Sequence, residues 1–589
     1  MESSSDFKRF FKDIVLVSII SAVMFLALSF SRPLANPDEG RYSEIPREMA
    51  ASADYVTPRL NDLQYFYKPP MFYWMQAGAI KAFGVNTFSL RLANSLMAVL
   101  GIALTYWAAG SLFGRRAGLL ASAALLTSLF YFALGNIVTL DMTVSVFISG
   151  ALFSFIVAYN QNPNTKKRFW LWVLMFVFCA LACLTKGLIG IVLPFAAIFI
   201  YLALTPVKSI KSFTKSDVLA WTLGVAVFFL IAAPWHVLAA VQNPAYENAA
   251  GLFSKNPEGQ GFAWYYFINE HFLRYLDAET SHRYQPFWFF FVLAPVGFIP
   301  WVAFLPRIAA NCAKKESQFV NREKSNILFF AIWAAFIILF FSISKSKLVP
   351  YIIPIYPALA AIVGAWLSRV WDNGEKTRAE RLVLASLGVL ASVAIFVAYM
   401  VLSAKGKLLY GAAAAPSFAA AAVIFLAGSV LLFYFTRKNR AKPACITIFA
   451  TLGAFLFLFN PIAKNVQRAD SRDFANIIKA AGKPGDTVLA AYCYNEVQDL
   501  PVWLGEFISV LDDVPNEQSF GLMREPKRIG GRIVKFSELE KTLAEKRVFL
   551  IAKKRNIEKL SKIKGFDSLE KLAEKGELIM FASRKIAEK

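Results

Sequence analysis

Hydrophobic residues recur along the first 465 positions in stretches long enough to cross a lipid bilayer. A hydrocarbon core of roughly 30 Å requires about 20 apolar residues per helix. Windows of this kind occur thirteen times in the sequence. We therefore predict thirteen transmembrane helices, at about 13–30, 90–112, 117–134, 141–159, 169–185, 187–205, 217–240, 287–306, 327–344, 348–368, 382–402, 415–436 and 444–463.

Lysine and arginine are distributed unevenly over the segments that connect these windows. Cytoplasmic loops of membrane proteins carry an excess of positive charge, so we place the amino terminus, with Lys8, Arg9 and Lys12, in the cytoplasm. An alternating path through thirteen helices then keeps the other basic clusters inside, at 115–116, 166–168, 208–215, 307–324, 369–381 and 437–442. The short outward turns carry only Lys186, Lys345, Lys347, Lys405 and Lys407.

Composition excludes several classes of protein. With 57% hydrophobic and 17% charged residues, the chain is too apolar for a soluble globule. The net charge of +23 is mostly explained by the loop charges, so nucleic-acid binding is not indicated. Five scattered cysteines predict neither a disulfide framework nor a cysteine metal site. A signal peptide is the alternative for the first span, but no clear small-residue cleavage site follows it, so we predict an uncleaved helix.

The pattern changes at about residue 466. Strand-like runs at 487–492, 547–552 and 578–582 alternate with charged helical patterns at 536–546 and 567–575. This alternation predicts a small α/β domain. We divide the chain into a transmembrane domain, 1–465, and an α/β domain, 466–589, which an odd number of spans places outside the cytoplasm.

Polar residues that the topology does not explain lie on the outward side of this path. Charges close to a membrane are costly and usually functional. The long loop before the eighth span mixes aromatic and charged residues at 265–275, as does the first loop, and both patterns favour amphipathic interfacial helices. The outward polar positions are Asn36 to Tyr42, Tyr65 to Lys68, Asp141, Lys186, Lys345, Lys347, Tyr351 and His271.

Three classes of function are compatible with a polytopic membrane protein. An enzyme requires acids and cations clustered at one membrane face, which is the observed pattern. A transporter or lipid flippase would require a polar path through the bilayer and preferably a repeat, but the predicted spans have few midplane charges. A receptor or scaffold would depend on the terminal domain and would not require the polar loops. We favour the enzyme.

These segments, in this order and spacing, resemble one known family. The matching residues are Asp38-Glu39-Gly40-Arg41-Tyr42-Ser43-Glu44-Ile45, Arg47-Glu48-Met49, Tyr65-Phe66-Tyr67-Lys68-Pro69, Leu140-Asp141, Thr185-Lys186-Gly187, Pro234-Trp235, Glu270-His271 with Arg274, His282-Arg283 with Pro286-Phe287-Trp288, and Phe341-Ser342 with Lys345, Lys347, Leu348 and Tyr351. They are similar to the aminoarabinose transferases that modify lipid A, and to the related polyprenyl-phosphate-mannose protein mannosyltransferases with the C-type glycosyltransferase fold. About thirteen helices followed by a small periplasmic domain also resembles that family.

The resemblance implies an enzyme of the bacterial inner membrane with its active site facing the periplasm. It would move an aminoarabinose-like sugar from undecaprenyl phosphate to lipid A, with a protein or other glycan as the alternative acceptor. The expected partners are the lipid-linked donor, the acceptor and membrane lipids, without nucleic acid, and the chain is expected to be a monomer. We keep a lipid transporter as a remote alternative.

The resemblance also implies roles for individual side chains. A carboxylate can stabilise the developing oxocarbenium ion or activate a hydroxyl acceptor, and the phosphate leaving group requires cations. We assign catalysis to Asp38 and Asp141, phosphate binding to Lys68, Arg274, Lys186, Lys345 and Lys347, and substrate binding to Glu39, Arg41, Tyr42, Tyr65, Tyr351 and Glu270.

Ordinary structural roles remain open for several of these residues. Asp38 and Glu39 could be solvated loop acids or a helix cap, and Arg41 could pair with one of them. Asp141 could cap the fourth span, and Lys186, Lys345 and Lys347 could extend to the lipid headgroups.

A metal site is the least supported expectation. The family pattern has a glutamate, associated with a bound metal ion, where this chain has Tyr67. A phenol is a poor zinc ligand. We therefore expect no required cofactor, and we name His271 as the residue that a divalent metal would involve. The same change weakens the prediction that the donor sugar is aminoarabinose.

Overall fold

The structure is a computed structural model of the chain. It describes residues 4–583 except 28, 31, 206–212, 248, 250, 252–257, 274–283, 315–319, 374–376, 406, 407, 409, 410, 467–470, 513–517 and 526–531. Contacts group the chain into two compact units, the first made of 1–30, 94–234 and 274–466, the second of 31–93, 235–273 and 467–589. The domain boundary between 465 and 466 stays a prediction.

Most of the described chain is helical. The helices, with the bounds that the structure gives them, are α1 (Ser4–Leu26), α2 (Asp38–Ser52), α3 (Met71–Phe83), α4 (Thr87–Phe113), α5 (Arg115–Leu126), α6 (Leu129–Gly135), α7 (Leu140–Tyr159), α8 (Lys166–Lys186), α9 (Ile189–Leu204), α10 (Lys215–Gln242), α11 (Phe289–Gly297), α12 (Leu305–Ala313), α13 (Asn321–Ile343), α14 (Tyr356–Asn373), α15 (Arg378–Ala404), α16 (Ala415–Arg437), α17 (Ala441–Val466), α18 (Arg472–Ala481), α19 (Leu500–Leu504), α20 (Ser519–Arg524), α21 (Leu539–Glu545) and α22 (Ile557–Leu560). A π-helix covers Trp264–Leu273, and 3-10 helices cover Trp301–Phe304 and Val349–Ile355.

The prediction of a polytopic helical membrane protein is confirmed. Among the described residues, nine helices are long and apolar enough to cross a bilayer, and two bent pairs raise the number to eleven. The other two of the thirteen predicted spans fall on α1 and on α9. By the same measure of length and composition, α9 is a shorter apolar helix of 16 residues. The first loop contains α2 and α3. Of the predicted helix at 265–275, residues 265–273 lie in the π-helix, and 274 and 275 lie outside the described residues.

The transmembrane helices differ in how far the protein covers them. In the 18-residue apolar stretch of α7, 94% of the residues are buried inside the protein, whereas in that of α15 only 17% are buried. Because both helices are apolar on nearly every side, the first suits the interior of the bundle and the second suits contact with lipid. Close packing depends on small residues: a Cβ added at Gly364 on α14 would lie 2.6 Å from the carbonyl oxygen of Ala117 on α5.

Two predicted spans are bent in the first unit. α5 and α6 meet at 66°, and α11 meets the segment Trp301–Ala313 at 101°. Proline cannot donate a backbone hydrogen bond and disfavours a helical conformation in the residue before it. Pro300 lies at the second break, so the local sequence accounts for that bend.

The second unit contains a short hairpin and a six-stranded sheet. The hairpin pairs β1 (Arg59–Leu60) with β2 (Leu63–Gln64). The sheet contains β3 (Thr487–Ala491), β4 (Ser509–Leu511), β5 (Ile533–Val534), β6 (Val548–Lys553), β7 (Leu569–Lys575) and β8 (Leu578–Ser583) in the order β5-β4-β3-β6-β8-β7. Strands β3 to β6 are parallel, and β8 and β7 are antiparallel to their neighbours.

Alternate residues of the central strands enter two hydrophobic cores. Phe549 and Ile551 join the core that contains α18, whereas Leu550 and Ala552 join the core that contains α21. A parallel sheet that is covered on both faces explains why its strands are continuous apolar runs. The predicted small α/β domain, with strands at the three predicted runs, is confirmed.

The helix predicted at 567–575 is wrong. The segment is a short 3-10 turn followed by the edge strand β7, which pairs with β8 and carries an irregularity between Lys571 and Ala573. Its residues are good helix formers, but pairing with β8 overrides that local preference. Exposed Glu570 and Lys571 on an edge strand also oppose pairing with another chain.

Candidate functional site

The first loop places two adjacent carboxylates in opposite surroundings. α2 begins at Asp38, which is exposed, whereas Glu39 is completely buried. Glu39 accepts hydrogen bonds from Arg32 Nη2 at 2.9 Å, from Arg91 Nη2 at 2.9 Å and from the backbone N–H of Ala35 at 2.7 Å. Charge-assisted bonds of this kind stabilise the ionised carboxylate. Glu39 therefore fixes the start of α2, and Asp38 is the exposed acid of the pair.

The start of α2 is also attached to the carboxyl-terminal segment of the same unit. Asn36 Oδ1 accepts from the backbone N–H of Asp499 at 3.1 Å, and Arg41 Nε donates to Gln498 Oε1 at 3.2 Å. A Cβ at Gly40 would lie 2.6 Å from the backbone nitrogen of Asp499. Glycine is required at this position because the two backbones approach so closely.

Two further carboxylates lie inside α2. Arg47 donates from Nε and Nη2 to both carboxylate oxygens of Glu44, at 2.7 and 2.6 Å. Glu48 Oε2 accepts from the backbone N–H of Asp62 at 3.0 Å. Burial, and then the charge of Glu44, raise the pKa of Glu48 well above its usual range. Its surroundings therefore favour the neutral form of Glu48 more than water does, and its bond to Asp62 joins α2 to the turn between β1 and β2.

Aromatic rings and one ion pair form a cluster around Lys68. The ring of Tyr65 is stacked 5.5 Å from that of Tyr67, and the ring of Tyr265 is 6.1 Å from Tyr67. Lys68 Nζ lies 5.4 Å from the centre of the Tyr67 ring and 3.7 Å from Glu270 Oε2. The Lys68 side chain is 23% exposed and that of Glu270 is 4% exposed. An ammonium in this position can meet an anion from the exposed side.

Tyr42 lies next to this cluster on α2. It is partly buried, and its ring is stacked 6.4 Å from Tyr73. Burial, followed by Tyr65, Tyr73 and Asp38, raises the pKa of Tyr42 well above its usual value. The phenol therefore stays neutral, and it can donate or accept a hydrogen bond.

The first unit holds a second group of predicted site residues. Lys186, in the last turn of α8, forms an ion pair with Asp141, in the first turn of α7, and each side chain is 12% exposed. An acid near a helix amino terminus and a cation near a helix carboxyl terminus are both favoured by the helix dipoles. Lys186 Nζ also lies 4.5 Å from the centre of the Tyr351 ring.

Lys347 and Lys345, the two other lysines predicted to bind phosphate, differ in burial and in hydrogen bonding. Lys347 is buried and donates to the backbone carbonyls of Gln285, at 2.8 Å, and Ser344. Burial lowers the pKa of Lys347. Lys345 is exposed and, among the described residues, has neither an ion pair nor a hydrogen bond.

Of the two residues that bear on the metal prediction, Tyr67 has a described side chain and His271 does not. Tyr67 is stacked with Tyr65, and no group of three His, Cys, Asp or Glu side chains in the described part of the chain could hold an ion. The side chain of His271, and the whole of Arg274, lie outside the described residues. We derive no step through a metal, and the expectation that no cofactor is required stays a prediction.

The sequence did not predict that Arg32 and Arg91 bind the Glu39 carboxylate. Arg91 donates to both oxygens of Glu39 and to the carbonyls of Arg32 and Pro33. Arg91 lies just inside the second predicted span, where a charge is unusual. A charged residue inside a predicted span was the sequence signal that could have identified Arg91 as a partner of a buried acid.

The second unit therefore combines an exposed carboxylate, a partly exposed ammonium and an aromatic wall. Aromatic faces suit the apolar side of a sugar ring, the ammonium suits a phosphate, and the carboxylate suits a developing positive charge. The catalytic, phosphate-binding and substrate-binding roles of the named residues stay predictions.

Comparisons with known proteins agree with one another. Residues 12–249 match the model of the dolichyl-phosphate-mannose-protein mannosyltransferase family. The undecaprenyl phosphate-alpha-4-amino-4-deoxy-L-arabinose arabinosyl transferase of Pectobacterium carotovorum is 31% identical over 356 residues. That alignment covers 60% of this chain and 58% of the relative, which is less than two thirds of its length.

Solved structures extend the similarity to nearly the whole chain. ArnT from Cupriavidus metallidurans is similar over 98% of both chains with a TM-score of 0.74, at 26% identity in its apo state and 27% identity when bound to undecaprenyl phosphate. This coverage includes both the helices and the carboxyl-terminal sheet.

Proposed function

We propose that the chain belongs to the family of the undecaprenyl phosphate-aminoarabinose arabinosyl transferases and the related protein mannosyltransferases, and that it is a membrane glycosyltransferase. The proposed donor is a sugar linked to undecaprenyl phosphate. The proposed acceptor is lipid A, at the periplasmic face of the bacterial inner membrane. The donor sugar is aminoarabinose or a close analogue.

The observation that carries this proposal is the opposite placement of Asp38 and Glu39. Buried Glu39 accepts four hydrogen bonds, and these bonds fix the first turn of α2. The adjacent Asp38 is exposed on that turn. A catalytic carboxylate must keep its geometry while remaining accessible to substrate. An ordinary loop acid requires no such support.

Transfer breaks the bond between the anomeric carbon and the phosphate oxygen, and the electron pair leaves with the phosphate. The acceptor oxygen forms the new bond to the same carbon. If the acceptor is a hydroxyl, Asp38 takes its proton. If the acceptor is a phosphate that is already ionised, Asp38 stabilises positive charge on the sugar instead. Lys68 neutralises the departing phosphate.

A protein mannosyltransferase is the second candidate. The match of residues 12–249 to the mannosyltransferase model favours it. The resemblance adds a second argument, because it implies a glutamate at the position of Tyr67 and so weakens the assignment of aminoarabinose as the donor sugar.

Mass spectrometry of lipid A separates these candidates. Cells that express the wild-type chain should show lipid A with an added pentosamine, and cells with Asp38→Asn should lack it. Glu506→Gln, which changes an exposed acid of the same unit, is the matched control and should retain the addition. Unmodified lipid A in the wild type, together with a new glycan on envelope proteins, would favour the mannosyltransferase.

A further inference from the structure

The sheet of the second unit has a crevice where its strand order reverses. The chain runs from β3 to β4 and β5 on one side, and then returns to place β6 on the other side of β3. In open α/β sheets, ligands bind outside the carboxyl ends of the two strands at such a switch point. β3 and β6 are those two strands.

A cavity of about 340 Å³ lies at this position. Tyr492, Asn495 and Glu496, which follow β3, line one side, and Lys553, Arg555, Asn556 and Lys559, from the end of β6 onward, line the other. The volume falls at the lower end of the range for small-molecule sites, roughly 300–1,000 Å³. The lining is polar, so the cavity suits a hydrophilic ligand.

The cations of this crevice exceed its acids. Lys553 Nζ is paired with Glu496 Oε1 at 2.7 Å. Lys559 Nζ donates to the hydroxyl of Tyr492 at 3.0 Å, and within the described part of the chain neither Lys559 nor Arg555 has a carboxylate partner. Two cations without counter-charges at one site attract an anion.

Glu496 adds an acceptor to these donors. Its Oε2 is buried and has no hydrogen-bond partner among the described residues. A buried carboxylate oxygen without a partner is costly, and a ligand hydroxyl would satisfy it. Tyr492, at the carboxyl end of β3, has φ of 54°, a strained conformation for a bulky residue.

We propose that this switch-point crevice, lined by Tyr492, Glu496, Lys553, Arg555 and Lys559, binds an anionic carbohydrate. The anionic group, a phosphate or carboxylate, lies against Lys559 and Arg555. A sugar hydroxyl donates to Glu496. The backbone carbonyl of Glu496 also accepts from Asn36 Nδ2 at 2.9 Å, so the crevice is connected to the loop that precedes Asp38.

Binding to the purified full-length protein tests the site directly and does not depend on transferase activity. Isothermal titration calorimetry would compare glucose 6-phosphate, inorganic phosphate and glucose. We expect glucose 6-phosphate to bind most tightly. Lys559→Ala and Arg555→Ala should each weaken it about tenfold, the usual effect of losing one charge-assisted hydrogen bond.

The control variant is Lys562→Ala, which removes an exposed lysine three positions further along that lies outside the cavity. It should bind like the wild type, and Lys559→Arg should restore binding. Thermal unfolding of each variant shows whether the domain remains folded. Equal affinities of Lys559→Ala and Lys562→Ala would overturn the site, and equal affinities for glucose 6-phosphate and inorganic phosphate would overturn its preference for carbohydrate.

A second arm distinguishes the source of the ligand. The protein is placed in phosphatidylcholine nanodiscs with or without phosphatidylinositol 4-phosphate. Weaker binding of glucose 6-phosphate in the presence of that lipid assigns the crevice to membrane headgroups, and unchanged binding assigns it to free sugars. Absence of binding in both kinds of nanodisc would overturn the proposal.

Discussion

Replacing Glu39 by glutamine removes a buried negative charge while keeping the size of the side chain. The carboxylate is completely buried, and the side chains of its partners Arg32 and Arg91 are 9% and 2% exposed. Breaking a buried ion pair costs about 3–5 kcal/mol. Arg91 keeps two backbone carbonyls as acceptors, so we expect a loss near the lower limit, about 3 kcal/mol.

Thermal unfolding in detergent, followed by circular dichroism, measures this loss. For a unit of this size, 1 kcal/mol corresponds to roughly 2–4 °C. The melting temperature of Glu39→Gln should therefore fall by about 10 °C. Asp38→Asn is the matched control, because the same change one residue earlier affects an exposed group and should leave the melting temperature nearly unchanged. A Glu39→Gln variant that melts at the wild-type temperature would refute the argument that Glu39 anchors the loop.

The surroundings of Glu48, of the Asp141–Lys186 ion pair and of Gly40 should each affect stability in a measurable way. Because burial raises the pKa of Glu48 above its unfolded value, stability should fall as pH rises from about 4.5 toward the raised pKa. Glu48→Gln should flatten that dependence and stabilise the protein at pH 8, as measured by melting temperature against pH. The losses of stability caused by Asp141→Asn and by Lys186→Met should add up to more than the loss in the double variant. The difference, measured in a double-mutant cycle, should be about 1–2 kcal/mol. Gly40→Ala should destabilise by about 1–3 kcal/mol because its Cβ meets the backbone of the carboxyl-terminal segment, whereas Gly78→Ala, which has open space around it, should not.

Three results would contradict the expected effects at Glu48, at the Asp141–Lys186 pair and at Gly40. Identical pH profiles for the wild type and Glu48→Gln would show that the surroundings do not raise the pKa of the Glu48 carboxyl group. Strictly additive effects at Asp141 and Lys186 would show that the two side chains do not interact. Equal stability of Gly40→Ala and Gly78→Ala would contradict the close backbone approach.

Local sequence patterns predicted the elements that depend on local chemistry. Transmembrane helices follow from apolar length, and β3, β6 and β8 follow from short apolar runs. β7 was missed because Leu569–Lys575 has the residues of a helix and becomes a strand only through pairing with β8. Strand pairing joins distant residues, and a single segment does not reveal it.

The supports of the candidate site depend on contacts that are distant in sequence. The family resemblance predicted roles for Asp38 and Lys68, which lie in compact motifs. It did not reveal that Asn36 bonds with Asp499, which lies 463 positions away. The sequence pattern also gave no sign that residues 467–589 make their contacts with the first loop. Long-range hydrogen bonds between polar side chains leave no periodic pattern that could predict them.

The central claim is that Asp38 acts on the lipid-linked sugar and Lys68 on its phosphate. Steady-state kinetics of the purified chain test this claim most directly. The donor is undecaprenyl phosphate-linked aminoarabinose, the acceptor is lipid A, and the readout is release of undecaprenyl phosphate. Asp38→Asn should lower kcat by at least about 100-fold with little change in the donor KM. Lys68→Met should mainly raise the donor KM. An Asp38→Asn variant that turns over at the wild-type rate would contradict the account.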